Sequence, residues 1–128
     1  MEFPKNLRYT KDHEWARVEG DIAVVGITDY AQHALGDVVF VELPKRGDHV
    51  EKGKGAGVVE SVKSVSDIFS PLGGEVVEVN PKVEESPEIV NKSPYGEGWM
   101  FKLKMDDMRE LDTLMGKEEY QKLVGEKK

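Results

Sequence analysis

Short runs of β-branched and aliphatic residues, each cut off by Gly, Pro or Asn, recur along this chain and set the first limit on its fold. WARVEG and DIAVVGIT read as two strands joined in a hairpin around Gly20-Asp21. DVVFVELP is almost continuously apolar until Pro44, the pattern of a strand covered on both faces. GAGVVESV, SVSDIFS, GEVVEVN and GWMFKLKM follow. Many short strands at this spacing point to a sandwich or barrel rather than to a parallel α/β sheet, whose strands alternate with long helices. GDVVFVELP from Gly36 and GEVVEVNP from Gly74 also echo each other. Two related halves forming a pseudo-symmetric pair of sheets would leave such an echo, and so would chance among β-typical residues.

Helical pieces interrupt the strands. TDYAQHALG has Thr28 as N-cap, apolar Tyr30, Ala31, Ala34 and Leu35, and Gly36 as its stop. SPEIVN, from Ser86, has the length of a single turn. DMRELDTLMG opens on a capping-box pattern, Asp107 with Glu110 three positions on. Its Met108, Leu111, Leu114 and Met115 predict one apolar face packed on a sheet, with Gly116 as the end. KEEYQKLV places Tyr120, Leu123 and Val124 on one side of a short last helix. A chain of 128 residues suits one compact domain, so residues 1–128 are expected to form a single domain with C-terminal helices at about 107–125 packed on it.

Composition narrows the function classes. With 38% hydrophobic and 34% charged residues the chain reads as a soluble globular protein. No apolar run approaches the roughly 18 residues of a membrane span, and MEFPKNLRYTKDHEW has no signal-peptide or transit-peptide character, so a cytoplasmic monomer is expected. The formal charge of −7 and the scatter of Lys and Arg leave no basic stripe for nucleic acid. That charge would instead steer the protein toward basic docking surfaces. With no cysteine, any sulfur chemistry must come from an attached cofactor or a partner.

The catalytic motifs that come near all fail. HEWAR begins like HExxH, but Arg17 stands where the second His belongs. GKGAG from Gly53 lacks the GK[ST] of a phosphate loop and reads as a strand entry. His13, His33 and His49 have no metal-ligand spacing, and no serine, histidine and acid constellation stands out. A non-enzyme is expected.

ESVKSVSD, from Glu60 to Asp67, breaks the local rules. It lies between two strand-like runs and must hold a tight reversal, yet it has no Asn-Gly or Asp-Gly pair and brackets Lys63 with Val62 and Val65. Violations of local propensity tend to mark function. A lysine on a strand-braced hairpin tip is reachable by a modifying enzyme, and acylation would turn it into a tether for a cofactor that carries the chemistry.

ESVKSVSD resembles the attachment loop of lipoyl proteins, specifically the glycine cleavage system H protein family. The resemblance covers almost the whole chain. YTKDHEWARVEGDIAVVGITDYAQHALGDVVFVELP is similar to the family's N-terminal half, GAGVVESVKSVSDIFSPLGGEVVEVN to its lipoyl segment and VNKSPYGEGWMFKLK to its closing strand. Biotin carriers have Met on both sides of the lysine, and 2-oxo acid dehydrogenase lipoyl domains read Asp-Lys-Ala. Val62 and Ser64 match neither, and Ser64 replaces the family's usual Ala.

The resemblance implies a mainly β fold, a barrel-sandwich hybrid of two sheets with short helices and a helical C-terminus. It implies lipoic acid bound covalently at Lys63 and a carrier role in one-carbon metabolism. A pyridoxal-phosphate glycine decarboxylase loads an aminomethyl group onto the arm and an aminomethyltransferase passes the carbon to tetrahydrofolate. Dihydrolipoamide dehydrogenase reoxidises the arm, and a lipoate-attaching enzyme supplies it. By position Glu14 and Asp67 match residues lining a cleft for the loaded arm, where a carboxylate pairs with the amine. Asp12 matches less closely, and His33 sits one position off a cleft histidine of some relatives. The rival reading is a lipoate-relay or regulatory lipoyl-binding module not used for glycine.

Overall fold

The computed structural model describes residues 1–125. In chain order the strands are β1 (Arg8–Tyr9), β2 (Glu14–Glu19), β3 (Ile22–Ile27), β4 (Val38–Glu42), β5 (His49–Val50), β6 (Gly55–Ser61), β7 (Val65–Phe69), β8 (Gly74–Val79) and β9 (Phe101–Met105). The helices are α1 (Asp29–Leu35), α2 (Pro81–Glu85), α3 (Ile89–Lys92) and α4 (Lys117–Leu123), with a 3₁₀ segment at Met108–Thr113. A six-stranded sheet runs β1-β2-β3-β9-β8-β5 and a three-stranded sheet runs β4-β6-β7, all neighbours antiparallel. This is the expected mainly β pair of sheets with short helices. No helix among the described residues is long and apolar enough to cross a membrane.

Period-two alternation makes the larger sheet two-sided. Ala16, Ala23, Val25 and Ile27 point between the sheets, where they meet Val41, Val59 and Ile68 of the smaller sheet in one buried cluster. Trp15 and Val24, one position out of phase, point to the other face and join Phe3, Leu7, Tyr9 and Tyr120 in a second cluster. Helix α4 closes that second cluster. Its Tyr120 is fully buried, stacks on Tyr9 at 4.7 Å and meets Phe3 edge-on at 5.3 Å.

The β2–β3 hairpin turns at Gly20-Asp21, as the sequence predicts, with Gly20 at φ 67°. Helix α1 also matches, capped by Thr28 Oγ1 accepting from the Ala31 N–H and stopped at Gly36, φ 80°. The echoing strands β4 and β8 fall one in each sheet. Each carries a register shift at the corresponding place, between Val38 and Phe40 and between Val76 and Glu78.

Several expectations need correction. Strand β4 is not covered on both faces: it is an edge strand of the smaller sheet, and its bulge turns Val39 and Phe40 outward, 52% and 50% exposed. The capping box at Asp107 forms only by half. Asp107 Oδ1 accepts from the Arg109 N–H, but Glu110 Oε1 accepts from the Gly73 N–H rather than reaching back. The segment is then a 3₁₀ turn with Met108 exposed, since Glu110 is drawn to the neighbouring loop. It ends before Met115, whose backbone pairs with Tyr9, and Gly116 caps α4 instead of ending this helix. Leu123 is half exposed rather than packed beside Tyr120. Helix α2 was not expected, although Asn80 followed by Pro81 is a capping signal: the Asn80 side chain accepts from the Lys82 N–H.

Candidate functional site

The hairpin joining β6 to β7 reverses through Val62, Lys63 and Ser64, and its turn is set by a side chain rather than by a turn-forming pair. Ser61 Oγ accepts from the Ser64 N–H at 3.1 Å and from the Lys63 N–H at 3.3 Å, while the Ser61 N–H donates to Ser64 O at 2.8 Å. Such Ser-to-backbone bonds stand in for turn propensity. The tip residues are thereby released from conformational duty. Val62 is 70% and Val65 66% exposed, and Lys63 is exposed between them.

The tip is also tied to the body. The Val62 N–H donates to Asp37 O at 3.0 Å, just beyond the stop of α1. Asn91 of α3 holds the same stretch: its Nδ2 donates to Gly36 O and to Gln32 Oε1, both at 2.9 Å, and its Oδ1 accepts from the Val38 N–H at 2.8 Å. A methyl group on Gly36 would stand 3.6 Å from Lys63 Cε, so the lysine stem lies against the end of α1 instead of pointing straight out. Its amine stays accessible on a braced base.

Beside the tip lies a cleft of about 330 Å³ between β7, α1 and the Asp12–Glu14 turn. Ile27, Ala31, Leu35 and Val59 give it apolar walls. Glu14 and Asp67, the two acids expected there, both line it, and so does Asp12. His33 is exposed and does not line it.

The acids differ in kind. Asp67 and Asp12 are exposed at the rim, whereas Glu14 is 2% exposed and is no surface acid. Glu14 Oε1 accepts from Thr10 Oγ1 at 2.6 Å and Oε2 from the Phe69 N–H at 3.1 Å, so this carboxyl ties the start of β2 to the end of β7. Burial pushes its pKa up to about 7, against the lowering pull of those two bonds. The group therefore sits near the midpoint of its titration at neutral pH, and a cation arriving beside it would draw out the full negative charge.

His13 also lines the cleft and was missed by the sequence reading, which weighed it only as a metal ligand. It is a non-glycine residue at φ 75°, held there by His13 Nδ1 and Tyr120 Oη at 2.8 Å and by its ring against Tyr30 at 4.7 Å. Tyr120 Oη also bonds Thr28 Oγ1 at 2.8 Å, so one hydroxyl from α4 fixes both the cleft histidine and the cap of α1. Burial lowers the His13 pKa, which keeps the ring neutral and adds no positive charge to the cleft. No cluster of metal-ligating side chains occurs among the described residues. The chemistry within reach is an amine open to acylation, a channel for a hydrocarbon chain and a buried carboxyl for a cationic end group.

Comparison with known proteins agrees with this geometry. A family model described as Glycine cleavage H-protein matches residues 7–127. A glycine cleavage system H protein of Thermus thermophilus is 60% identical over 124 residues, covering 97% of this chain and 97% of that protein. One from Bacteroides fragilis is 55% identical over 124 residues, covering 97% of this chain and 98% of that protein. The crystal structure of a glycine cleavage system H protein from Mycobacterium marinum superposes with a TM-score of 0.88 at 38% identity, covering 96% of this chain and 99% of that one.

Proposed function

The chain belongs to the glycine cleavage H-protein family, and from that premise we propose that it carries the aminomethyl group of glycine on a lipoyl group in amide linkage to Lys63. Residues 1–128 act as one carrier domain, in the cytoplasm and as a monomer. The protein is substrate for its partner enzymes rather than a catalyst. It takes its cargo from a pyridoxal-phosphate glycine decarboxylase and yields it to a tetrahydrofolate-dependent aminomethyltransferase. Dihydrolipoamide dehydrogenase resets it.

The observation that carries this reading is the pairing of an exposed, strand-braced lysine with an adjacent cleft that has apolar walls and a buried acid. The lipoyl group, when bound, supplies the disulfide and dithiol chemistry that this cysteine-free chain lacks. The chain supplies position and shelter. Ser61, Asp37 and Asn91 hold the base of Lys63. The residues present fit such an arm: Ile27, Ala31, Leu35 and Val59 offer its hydrocarbon an apolar wall, and Glu14 offers the amine a charge-assisted bond. Excluding water there lengthens the life of a hydrolysable cargo.

A buried acid favours a cationic cargo over simple relay of lipoate, since a neutral acyl chain gains nothing from it. The test is a mass measurement. Fully lipoylated protein incubated with glycine and the decarboxylase should gain one aminomethyl group, and the unmodified protein none. A lipoylated protein that gains no glycine-dependent mass would refute the carrier reading.

A further inference from the structure

The two echoing strands make an internal control for the surface around Lys63. At the bulge of β8 the outward residue is Glu78, paired with Lys102 at 3.4 Å, and Lys102 in turn lies 5.0 Å over the Trp99 ring. At the same bulge of β4 the outward residues are Val39 and Phe40, both half exposed. The fold thus covers the outward side of one bulge with charge and leaves the other, on the edge strand β4, apolar. Register places Phe40 opposite Glu60 and Glu60 opposite Val65, so the three share the outer face of the smaller sheet. The next outward row is Glu42, Val58 and Asp67, while Val41 and Val59 point inward.

The patch thus has an apolar centre of Val39, Phe40, Val62 and Val65 at the hairpin end and a rim of acids. Strands β4, β6 and β7 carry Glu42, Glu60 and Asp67 and no Lys or Arg. Lys63 stands at the tip between β6 and β7, and at the far end of the outward row Lys45 and His49 share a hollow with Glu42, Val58 and Asp67. Exposed apolar clusters rimmed by charge mark interaction sites, and the charge selects the partner. The partner's contact surface should be apolar at its centre and basic at its rim.

Reach decides which partner. Enzymes that work on the far end of an acyl arm meet it a whole acyl chain away from the hairpin. The enzyme that builds the arm must bring its active site to the lysine amine, and so must lie on the residues flanking the tip. We infer that the Val39, Phe40, Val62 and Val65 patch with its acidic rim is the docking surface for the lipoate-attaching enzyme, an inference that rests on Lys63 being the attachment site. In that step the free amine of Lys63 attacks the carbonyl of an activated lipoyl donor, an acyl phosphate or thioester. The C–N bond forms as the bond to the phosphate or thiolate leaving group breaks. The leaving group departs with the electron pair, and the amine's proton passes to water or to a base of the enzyme.

The test uses unmodified protein, a lipoate-attaching enzyme, lipoate and ATP, with lipoyl mass on the Lys63 peptide as the readout. Phe40→Ser removes the centre of the patch, and Glu60→Lys reverses its rim. Neither residue lines the cleft. Each variant should slow attachment at limiting carrier on the order of tenfold, and the Glu60→Lys effect should shrink as salt rises. Once driven to full lipoylation, both should be loaded with glycine at the wild-type rate.

Wild-type attachment rates in both variants would overturn the docking inference alone. Equal losses in attachment and loading would overturn it too, by making the patch common to all partners. A wild-type dimer that Phe40→Ser dissociates, with attachment unchanged, would make the patch a self-interface instead. If wild-type Lys63 accepts no lipoate at all, the reading of Lys63 falls and the inference with it.

Discussion

Two of the molecule's tight hairpins are built on opposite principles. The β2–β3 hairpin turns on a glycine: Gly20 takes φ 67°, a conformation other residues adopt only at a cost, and Asp21 O beside it accepts from the Met105 N–H at 2.9 Å. The β6–β7 hairpin turns on Ser61, whose hydroxyl accepts from two backbone N–H groups, and its tip residues are left free to be Val, Lys and Ser. A turn stabilised from its base can spend its tip on chemistry. The two hairpins meet through Glu14, the first residue of β2, which accepts from the N–H of Phe69, the last residue of β7. The buried acid of the cleft is therefore also a joint between the sheets.

The largest effect comes from changing the tip without touching its base. Lys63→Arg keeps the charge and removes the acylable amine. The variant should fold as the wild type does by circular dichroism and thermal melting, accept no lipoate by intact mass, and fail to support glycine decarboxylation.

Breaking the joint should affect the loaded protein selectively. A charge-assisted hydrogen bond contributes about 1.5–3 kcal/mol, so Glu14→Gln should shorten the lifetime of the loaded form on the order of tenfold to a hundredfold. Lipoylation, reduction and reoxidation should stay unchanged. The readout is formaldehyde release from purified loaded protein. The same residue has a pH signature in the unloaded protein. Its folded pKa of about 7 lies above the unfolded value of about 4.3. The folded state thus binds the proton more tightly, a stability present in full below pH 4 and lost as pH rises through 7. Wild type relative to Glu14→Gln should lose up to about 4 kcal/mol across that window in denaturant titrations.

A smaller pair of changes sharpens the contrast between the hairpins. Gly20→Ala meets no atom within 4 Å, so its cost is backbone strain alone, about 1 kcal/mol and a few degrees in melting temperature, with lipoylation untouched. Ser61→Ala should cost about the same from lost hydrogen bonds. Here, though, attachment at Lys63 should slow severalfold and amide exchange at Lys63 and Ser64 should quicken. Equal attachment rates in the two variants would remove the distinction.

Salt should have the mildest effect. Exposed charges are screened beyond roughly 10 Å at 0.1 M. Loading at limiting carrier should therefore slow a few-fold as salt rises, with the fold intact. A rate flat across ionic strength would take the charge of −7 out of the account.

What was legible in the sequence is what depends on neighbours along the chain. The cap and stop of α1, the Gly20-Asp21 turn and the odd composition of the Lys63 tip all follow from local rules. What was not legible depends on a partner in space. The bulge that exposes Val39 and Phe40 is a matter of register with β6. Glu110 leaves its capping box because Gly73 N–H is within reach. The bracing by Asn91 joins residues more than fifty positions apart, and the only local hint is a weak helix former inside a helix. His13 was weighed only as a metal ligand, because its place in the cleft depends on Tyr120 far along the chain. Glu14 and Asp67 were reached by resemblance. Sequence position could say that both face the cleft, but not that one is buried and the other exposed.

The central claim is that Lys63, freed at its tip by a hairpin held from Ser61, is the one residue that carries the lipoyl group. Peptide mass mapping of the protein taken from its native host tests it directly. The account predicts lipoyl mass on the peptide containing Lys63 and on no other lysine. Lipoyl mass on a peptide lacking residue 63, or a lipoylated population of Lys63→Arg, would contradict it.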